Sequence, residues 1–208
     1  MPNPILIAVT TLVTASLLQA RQNVRIEPAE AIDTEQTIFA SGGTVELKDS
    51  TGQVQIEGWD QPEVQVVVRK FGLERAAGEL DRIVITAERR SSDHMVITTR
   101  QPLRHRSDVR LIYEIKVPRQ TRLVIEHDRG DVQVRNVTAD MRVSNRIGRI
   151  DLSLPQNELY AIDAKAHIGQ VASEWDKQDG CPGDVLERVR LMLRVGTGNI
   201  TLRRAPRA

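Results

Sequence analysis

The 208-residue chain is short of cysteine, of aromatic residues and of charge of one sign. Its single cysteine, Cys181, excludes an intramolecular disulfide framework and a cysteine-rich zinc site. Aromatic residues make up 3% of the sequence, which argues against an aromatic-lined sugar cleft or a base-stacking platform. The 29 Lys and Arg against 28 Asp and Glu give a net charge of +1. Because no global field attracts a polyanion, we predict no nucleic-acid partner.

The uncharged N-terminal run, residues 4–18, is shorter than the roughly 20 apolar residues that a membrane helix needs. It is typical of the apolar core of a signal peptide, with Ala20 as the residue before cleavage. No Lys or Arg precedes the run and Leu18 stands where a small residue is usual. An uncleaved anchor, a misassigned start and a buried strand therefore stay open. We predict that residues 1–20 are a signal peptide and that the protein is exported, to the periplasm or beyond, with membrane attachment only if this segment is retained.

Apolar residues alternate with period two in almost every segment after residue 43, which indicates half-buried β-strands. We predict a linker at 21–39 and a single all-β domain at 40–204. Only residues 73–81 space their apolar side chains as a helix does, and Gly78 limits that helix to about two turns. The predicted strands are 44–48, 53–57, 64–69, 83–87, 94–99, 109–117, 122–127, 131–135, 141–145, 149–153, 160–166, 170–173, 190–195 and 199–203.

One short pattern recurs between the strands: glycine, a polar residue, an aliphatic residue, any residue, then usually another aliphatic. It begins at Gly52, Gly130, Gly148, Gly169 and Gly198. From the second copy onward the spacings are 18, 21 and 29 residues, typical of a solenoid-like array with two strands per unit. Glycine adopts positive φ without steric cost, so each copy can turn the chain sharply before a strand. We therefore predict a β-solenoid-like stack, with an antiparallel meander or sandwich as the alternative.

Stacking in chain order predicts which residues meet. The buried seam would consist of Val132/Val134, Ile150/Leu152, Val171/Ser173 and Ile200/Leu202. The residues after the glycines would form an outward ladder in the order Asp131, Arg149, Gln170, Asn199. Since neighbouring strands lie about 4.8 Å apart, Asp131 and Arg149 are expected to form an ion pair. Asp151 falls on a second ladder, formed by the residues two positions further along each strand, where it lies beside Gln133.

Three passages of the chain carry a family pattern: GTVELK and GQVQIEGWD within 43–60, YEIKVPR at 113–119, and LVIEHDRGDVQV at 123–134. Together they resemble the bacterial putative-adhesin family, exported β-strand-repeat proteins classed as a domain of unknown function. The resemblance covers about residues 40–204 and departs from the pattern at Ser173 and in the insertion that follows. It implies a β-solenoid-like fold at the cell envelope and supplies no catalytic residues.

Residues that could carry chemistry are few, and each has a simpler structural interpretation. His127 and Asp128 lie close to Asp131 in sequence and could gather an imidazole with two carboxylates, but a solvated strand end is the simpler interpretation. Cys181 is either a reactive or intermolecular thiol or an incidental loop residue. Trp59 is either an exposed binding aromatic or a side chain packed at a strand edge. Nucleophile-elbow, phosphate-loop and dinucleotide motifs are missing from the sequence, so we predict no catalytic, cofactor-binding or metal-binding residue.

These observations favour a non-catalytic envelope protein whose rigid strands present polar ladders to an envelope glycan or another protein. One alternative is a carbohydrate-active β-helix enzyme, which requires carboxylates such as Asp128, Asp131 and Asp151 to converge in a groove. A second alternative is an envelope-stress regulatory module, which differs from the first hypothesis only in its partner.

Overall fold

The computed structural model describes residues 28–73, 77–100, 109–175 and 188–206. The predicted signal peptide and Cys181 lie outside these residues. The elements are, in chain order, β1 (Pro28–Ile38), β2 (Thr44–Thr51), β3 (Gln53–Trp59), β4 (Glu63–Leu73), α1 (Ala77–Leu80), β5 (Val84–Ser91), β6 (His94–Arg100), β7 (Val109–Pro118), β8 (Arg122–Arg129), β9 (Val132–Arg135), β10 (Met141–Ile147), β11 (Ile150–Leu154), β12 (Tyr160–Ile168), β13 (Val171–Ser173), β14 (Val189–Thr197) and β15 (Ile200–Arg204).

The strands form two sheets that enclose the core. Sheet A has the order β1-β4-β7-β3-β9-β11-β15-β13, and sheet B has the order β12-β14-β10-β8-β2-β6-β5. Three of the described strand pairings are antiparallel, namely β1 with β4, β4 with β7, and β5 with β6. The others are parallel. The all-β prediction is confirmed, and the two mixed sheets combine a parallel stack with antiparallel pairs near the N-terminal end.

Five strand pairs repeat one unit, here called a coil: a strand of sheet B, a glycine corner and a strand of sheet A. The coils are β2–β3, β8–β9, β10–β11, β12–β13 and β14–β15, and the corner glycines are Gly52, Gly130, Gly148, Gly169 and Gly198. All five have positive φ, between 111° and 141°. A Cβ on Gly148 would lie 1.9 Å from the carbonyl oxygen of Gly130. The corners therefore stack backbone on backbone, which leaves no room for a side chain.

The order of the coils differs from their order along the chain. Coil β14–β15 lies between β10–β11 and β12–β13, so the predicted ladder is wrong in its last two members. Asn199 follows Arg149, and Gln170 comes last. Its neighbour Val171 is 44% exposed, and Ser173 is exposed too, so the prediction that this pair belongs to the buried seam is also wrong. The physical reason is that β13 lies at the edge of sheet A, where it pairs only with β15 in the described chain.

The rest of the predicted seam fills the space between the sheets. Six of the eight predicted seam residues have side chains that are 1% exposed or less: Val132, Val134, Ile150, Leu152, Ile200 and Leu202. They occupy alternate positions on their strands and form one cluster with the inward residues of sheet B. This packing is what the period-two pattern predicts for strands buried on one face.

Strand β1 lies inside the segment 21–39, which the sequence pattern predicts to be a linker. It pairs with β4 along its whole length, although Ile32 and Ile38 are 55% and 73% exposed. Its Asp33 forms an ion pair with the buried Lys70 (Nζ–Oδ2 2.7 Å), whose ammonium also donates to the carbonyl of Ile83 at 2.8 Å. Backbone pairing and this buried charge, rather than an apolar face, hold β1, so a search for alternating apolar residues misses it.

Candidate functional site

Apart from apolar residues such as Val67 and Ile112, the side chains of sheet A that point away from the core are mostly polar, and the polar ones form two rows across the strands. We call these two rows the polar face. The first row consists of Glu114, Gln55, Gln133, Asp151 and Thr201. The second row consists of Gln65, Lys116, Glu57, Arg135, Ser153 and Arg203. Because the strands between Glu114 and Thr201 are parallel and in register, each row places one side chain about every 4.8 Å.

Two adjoining depressions follow the polar face. One lies over β4, β7, β3 and β9, and the other over β3, β9, β11 and β15. Both are lined by Glu57, Gln133 and Arg135, so they form one continuous groove. The second depression has a volume of about 590 Å³. This volume lies within the roughly 300–1,000 Å³ typical of ligand sites.

Trp59 ends the polar face on β3 and is half-buried. Its indole Nε1–H donates to the carbonyl of Glu63 at 2.9 Å, and Lys116 Nζ lies 5.3 Å from the ring centroid. The structure therefore agrees with the simpler interpretation of Trp59, a side chain packed at a strand edge. The contact with the ring also fixes the ammonium of Lys116 at the rim of the groove.

His127 belongs to the structure of a corner and not to a solvated strand end, so that interpretation is wrong for this residue. Its ring is 4% exposed and points inward, where Nδ1 lies 2.7 Å from Ser50 Oγ and Nε2 lies 3.1 Å from the carbonyl oxygen of Gly52. Burial lowers the pKa of His127, which favours the neutral ring. In that form Nε2–H donates to Gly52 and Nδ1 accepts from the Ser50 hydroxyl.

The predicted ion pair between Asp131 and Arg149 is confirmed. Arg149 Nη2 lies 2.6 Å from Asp131 Oδ2, and the backbone N–H of Arg149 donates to Asp131 Oδ1 at 2.9 Å. These hydrogen bonds hold the pKa of Asp131 below its usual value. Asp151 lies one outward position further along β11, and its charge, like that of Asp131, raises the pKa of Arg149. A guanidinium therefore stands beside both carboxylates.

Asp128 lies elsewhere, on the outer face of sheet B, where it forms an ion pair with Arg146 (Nη2–Oδ2 2.9 Å). Hydrogen bonding to Arg146 lowers the pKa of Asp128. A glycoside hydrolase needs one carboxyl group whose raised pKa keeps it protonated. Asp128 and Asp131 are shifted in the opposite direction, and the two lie on different sheets. Asp128 and Asp131 therefore do not form a hydrolase pair.

Two further observations concern metal binding and membrane-spanning helices in the described residues, 28–73, 77–100, 109–175 and 188–206. Within these ranges no three His, Cys, Asp or Glu side chains come together as a metal ion would require. No helix there is long and apolar enough to pass through a membrane.

No family model matches the chain, and no curated protein matches it either. A solved structure of a putative cell adhesion protein from Clostridium sporogenes aligns with a TM-score of 0.56 at 14% sequence identity, covering 86% of this chain and 100% of that one. The two chains share a fold. A putative adhesin from Bacteroides fragilis aligns with a TM-score of 0.36 at 8% identity, over 83% of this chain and 97% of that one. At the level of the fold, the resemblance seen in the sequence passages is confirmed.

Sequence reasoning found only part of the polar face. It placed Gln133 and Asp151 on one outward ladder, which the structure confirms. It did not identify Arg135, Ser153 and Arg203, the next outward positions on the same strands. The signal was present, because these residues continue the same period-two alternation by one more step. What the sequence did not show is that β15, and not β13, lies next to β11, which places Arg203 beside Ser153.

Proposed function

We propose that this chain is a non-catalytic, exported envelope protein that binds a glycan or protein partner through the polar face of sheet A. The observation that carries the proposal is the groove, since it places amide, acid and basic side chains in register on a rigid parallel sheet. Export rests on the predicted signal peptide at residues 1–20. The name of the Clostridium sporogenes protein that shares this fold, a putative cell adhesion protein, supports a surface role.

The chemistry of the groove suits a polar ligand with many hydroxyl groups. Gln55 and Gln133 lie side by side on β3 and β9, and neither side chain bonds to another described residue. Each amide offers two donors and one acceptor oxygen, which matches the mixed donors and acceptors of sugars and peptide groups. Glu57 and Lys116 add one charge of each sign beside them. The groove can therefore bind a polar partner without a large net field.

The first experiment asks where the protein resides and what it binds. The producing bacterium is separated into cytoplasmic, periplasmic and envelope fractions, and the purified protein is then sedimented with isolated cell-wall glycan. The face variant E57A/Q133A removes one carboxylate and one neutral polar group from the groove. The control variant E126A/S144A removes the same two kinds of group from paired outward positions of sheet B.

We expect the protein in an envelope or periplasmic fraction and bound to the wall glycan. We expect the face variant to bind about thirtyfold more weakly, since two lost hydrogen-bonding groups are worth about 1 kcal/mol each. The control variant should bind as the unmodified protein does. A cytoplasmic location, or equal loss in both variants, would contradict the proposal.

A further inference from the structure

Arginines on the strand faces of this chain are repeatedly neutralised by an aspartate of an adjacent strand or turn. Among the described residues there are five such pairs, namely Arg119–Asp60, Arg146–Asp128, Arg149–Asp131, Arg190–Asp140 and Arg194–Asp163. In each pair two guanidinium nitrogens lie within bonding distance of aspartate or backbone oxygens. Each such pair uses two of the five N–H donors and balances the charge of the guanidinium, so the arginine attracts an anionic ligand less strongly.

In the second depression of the polar face, Arg135 and Arg203 have no such aspartate partner among the described residues. In the register of sheet A, Arg135 lies beside Ser153 on one side, and Arg203 lies beside Ser153 on the other. Where the five pairs have an aspartate, these two arginines share a neutral serine. Neither guanidinium forms a hydrogen bond or an ion pair with any part of the chain that the structure describes.

The acidic residues nearby do not neutralise these arginines. Glu57 is the neighbour of Arg135 on β3, and Asp151 precedes Ser153 by two residues on β11. Among the described residues neither carboxylate forms an ion pair with Arg135 or Arg203. Two exposed arginines therefore lie on strands about 10 Å apart, two strand spacings, with the short hydroxyl side chain of Ser153 on the strand between them.

We propose that Arg135, Ser153 and Arg203 form a notch that binds the carboxylate groups of an acidic polysaccharide. The inference rests on the proposed function, because it names the ligand class of the same polar face. A guanidinium donates two parallel N–H bonds to a carboxylate, and the Ser153 hydroxyl supplies a further donor between the two arginines. The groove continues from the notch past Gln133 and Glu57, so it can hold further sugar units of the same polymer.

The test compares two polymers that differ only in charge: polygalacturonate and its methyl-esterified form, which keeps the sugar backbone and masks the carboxylates. Binding to each polymer is measured by calorimetry for three full-length proteins. These are the unmodified chain, the notch variant R135Q/R203Q and the control variant R122Q/R142Q. The control removes two exposed arginines from sheet B and therefore changes the net charge equally. Thermal melting of each protein confirms that it is folded.

We expect the unmodified chain to bind polygalacturonate more tightly than the esterified polymer. The notch variant should lose at least about tenfold in affinity for polygalacturonate, since each charge-assisted bond contributes appreciably to binding. The control variant should stay within about twofold of the unmodified chain. The notch variant and the unmodified chain should bind the esterified polymer equally.

Two results would overturn the notch. One is an equal loss in the notch and control variants, which would mean that only net charge matters. The other is a failure of the unmodified chain to prefer the charged polymer. The second result leaves the proposed function to be judged separately, because sedimentation with cell-wall glycan and its own variants does not depend on these arginines.

Discussion

Two buried polar side chains join successive coils at their corners. His127 bonds to the carbonyl of Gly52, and at the matching position of the next coil Asn145 donates to the carbonyl of Gly130 at 2.8 Å. Each side chain reaches back to the corner of the preceding coil. There it forms a hydrogen bond with a carbonyl oxygen that stacking would otherwise bury without a partner. The same position holds Ser50 in coil β2–β3, Val195 in coil β14–β15 and Ala166 in coil β12–β13. Among the five coils, the bond from this position to a corner carbonyl is therefore made by His127 and Asn145.

His127 gives the fold a predictable response to acid. Because burial lowers its folded-state pKa below the usual 6.5 of histidine, the unfolded chain binds more protons in the window just below pH 6.5. The stability from the neutral ring is fully present above that pH and falls as the pH falls toward the lower folded-state pKa. We expect the free energy of unfolding, measured with urea, to decline through this window. Asp128 and Asp131 titrate lower, below pH 3.8, because Arg146 and Arg149 lower their pKa values.

The variant H127N isolates this effect. Asparagine can make the bond to Gly52 that Asn145 makes to Gly130, but it does not titrate. We expect the decline just below pH 6.5 to flatten in H127N and to remain in H167N, which removes an exposed imidazole. An unchanged decline in H127N would mean that the buried ring does not set the response to acid.

At the scale of the element, each coil depends on a corner that only glycine can form. Gly148 has φ 135°, and an added Cβ would meet the Gly130 carbonyl oxygen at 1.9 Å. Two costs therefore act together at this position: backbone strain and a clash with the backbone of the preceding coil. Neither cost can be relieved by a side-chain movement.

We expect G148A to lower the free energy of unfolding by at least about 2 kcal/mol, because a side chain in this φ region is strained even without the clash. The control is G78A in α1, where an added Cβ meets nothing within 4 Å. That change should be neutral or stabilise by roughly 0.5–1 kcal/mol, since alanine favours helix. Urea unfolding followed by circular dichroism measures both. Equal midpoints for the two variants would show that the corner tolerates a side chain.

At the scale of the whole molecule, the decisive feature is that the last coil of the chain is not the last coil of the stack. Strand β14 lies between β10 and β12, and β15 lies between β11 and β13. The coil with two fully buried aliphatics, Ile200 and Leu202, therefore occupies an interior place. The coil with Val171 and Ser173 occupies the end. A coil with two inward aliphatic side chains stabilises the fold more at an interior position than at the end of the stack, because an interior position buries more apolar surface.

Cysteine pairs test this order directly in a background of C181S. Arg142 and Met192 are register partners on β10 and β14, so R142C/M192C should form a disulfide on oxidation. Asp163 is the partner of Met192 on β12 and lies two strands, about 10 Å, from Arg142. R142C/D163C should therefore stay reduced, because a disulfide needs Cα atoms within about 7 Å. Mass spectrometry distinguishes the two states, and the opposite result would restore the order of the chain.

The sequence by itself determined the features that depend on neighbouring residues. Period-two alternation specified the strands, and the recurring glycines specified the corners, because both follow from local backbone geometry. The ion pair between Asp131 and Arg149 was also predictable, because their two coils are consecutive in the chain and do lie side by side. Trp59 also sits at a strand edge, as its position after Gly58 indicated.

Only the tertiary structure decided which distant strands meet. The coils whose corners are Gly169 and Gly198 carry the same local pattern, so periodicity cannot determine which of them lies next to the coil of Gly148. That choice depends on the total apolar surface buried when all coils are stacked, a property of the whole chain. The same long-range pairing brought β1 into sheet A and placed Arg135 and Arg203 on either side of Ser153. For this reason the candidate ligand site became visible only in the fold.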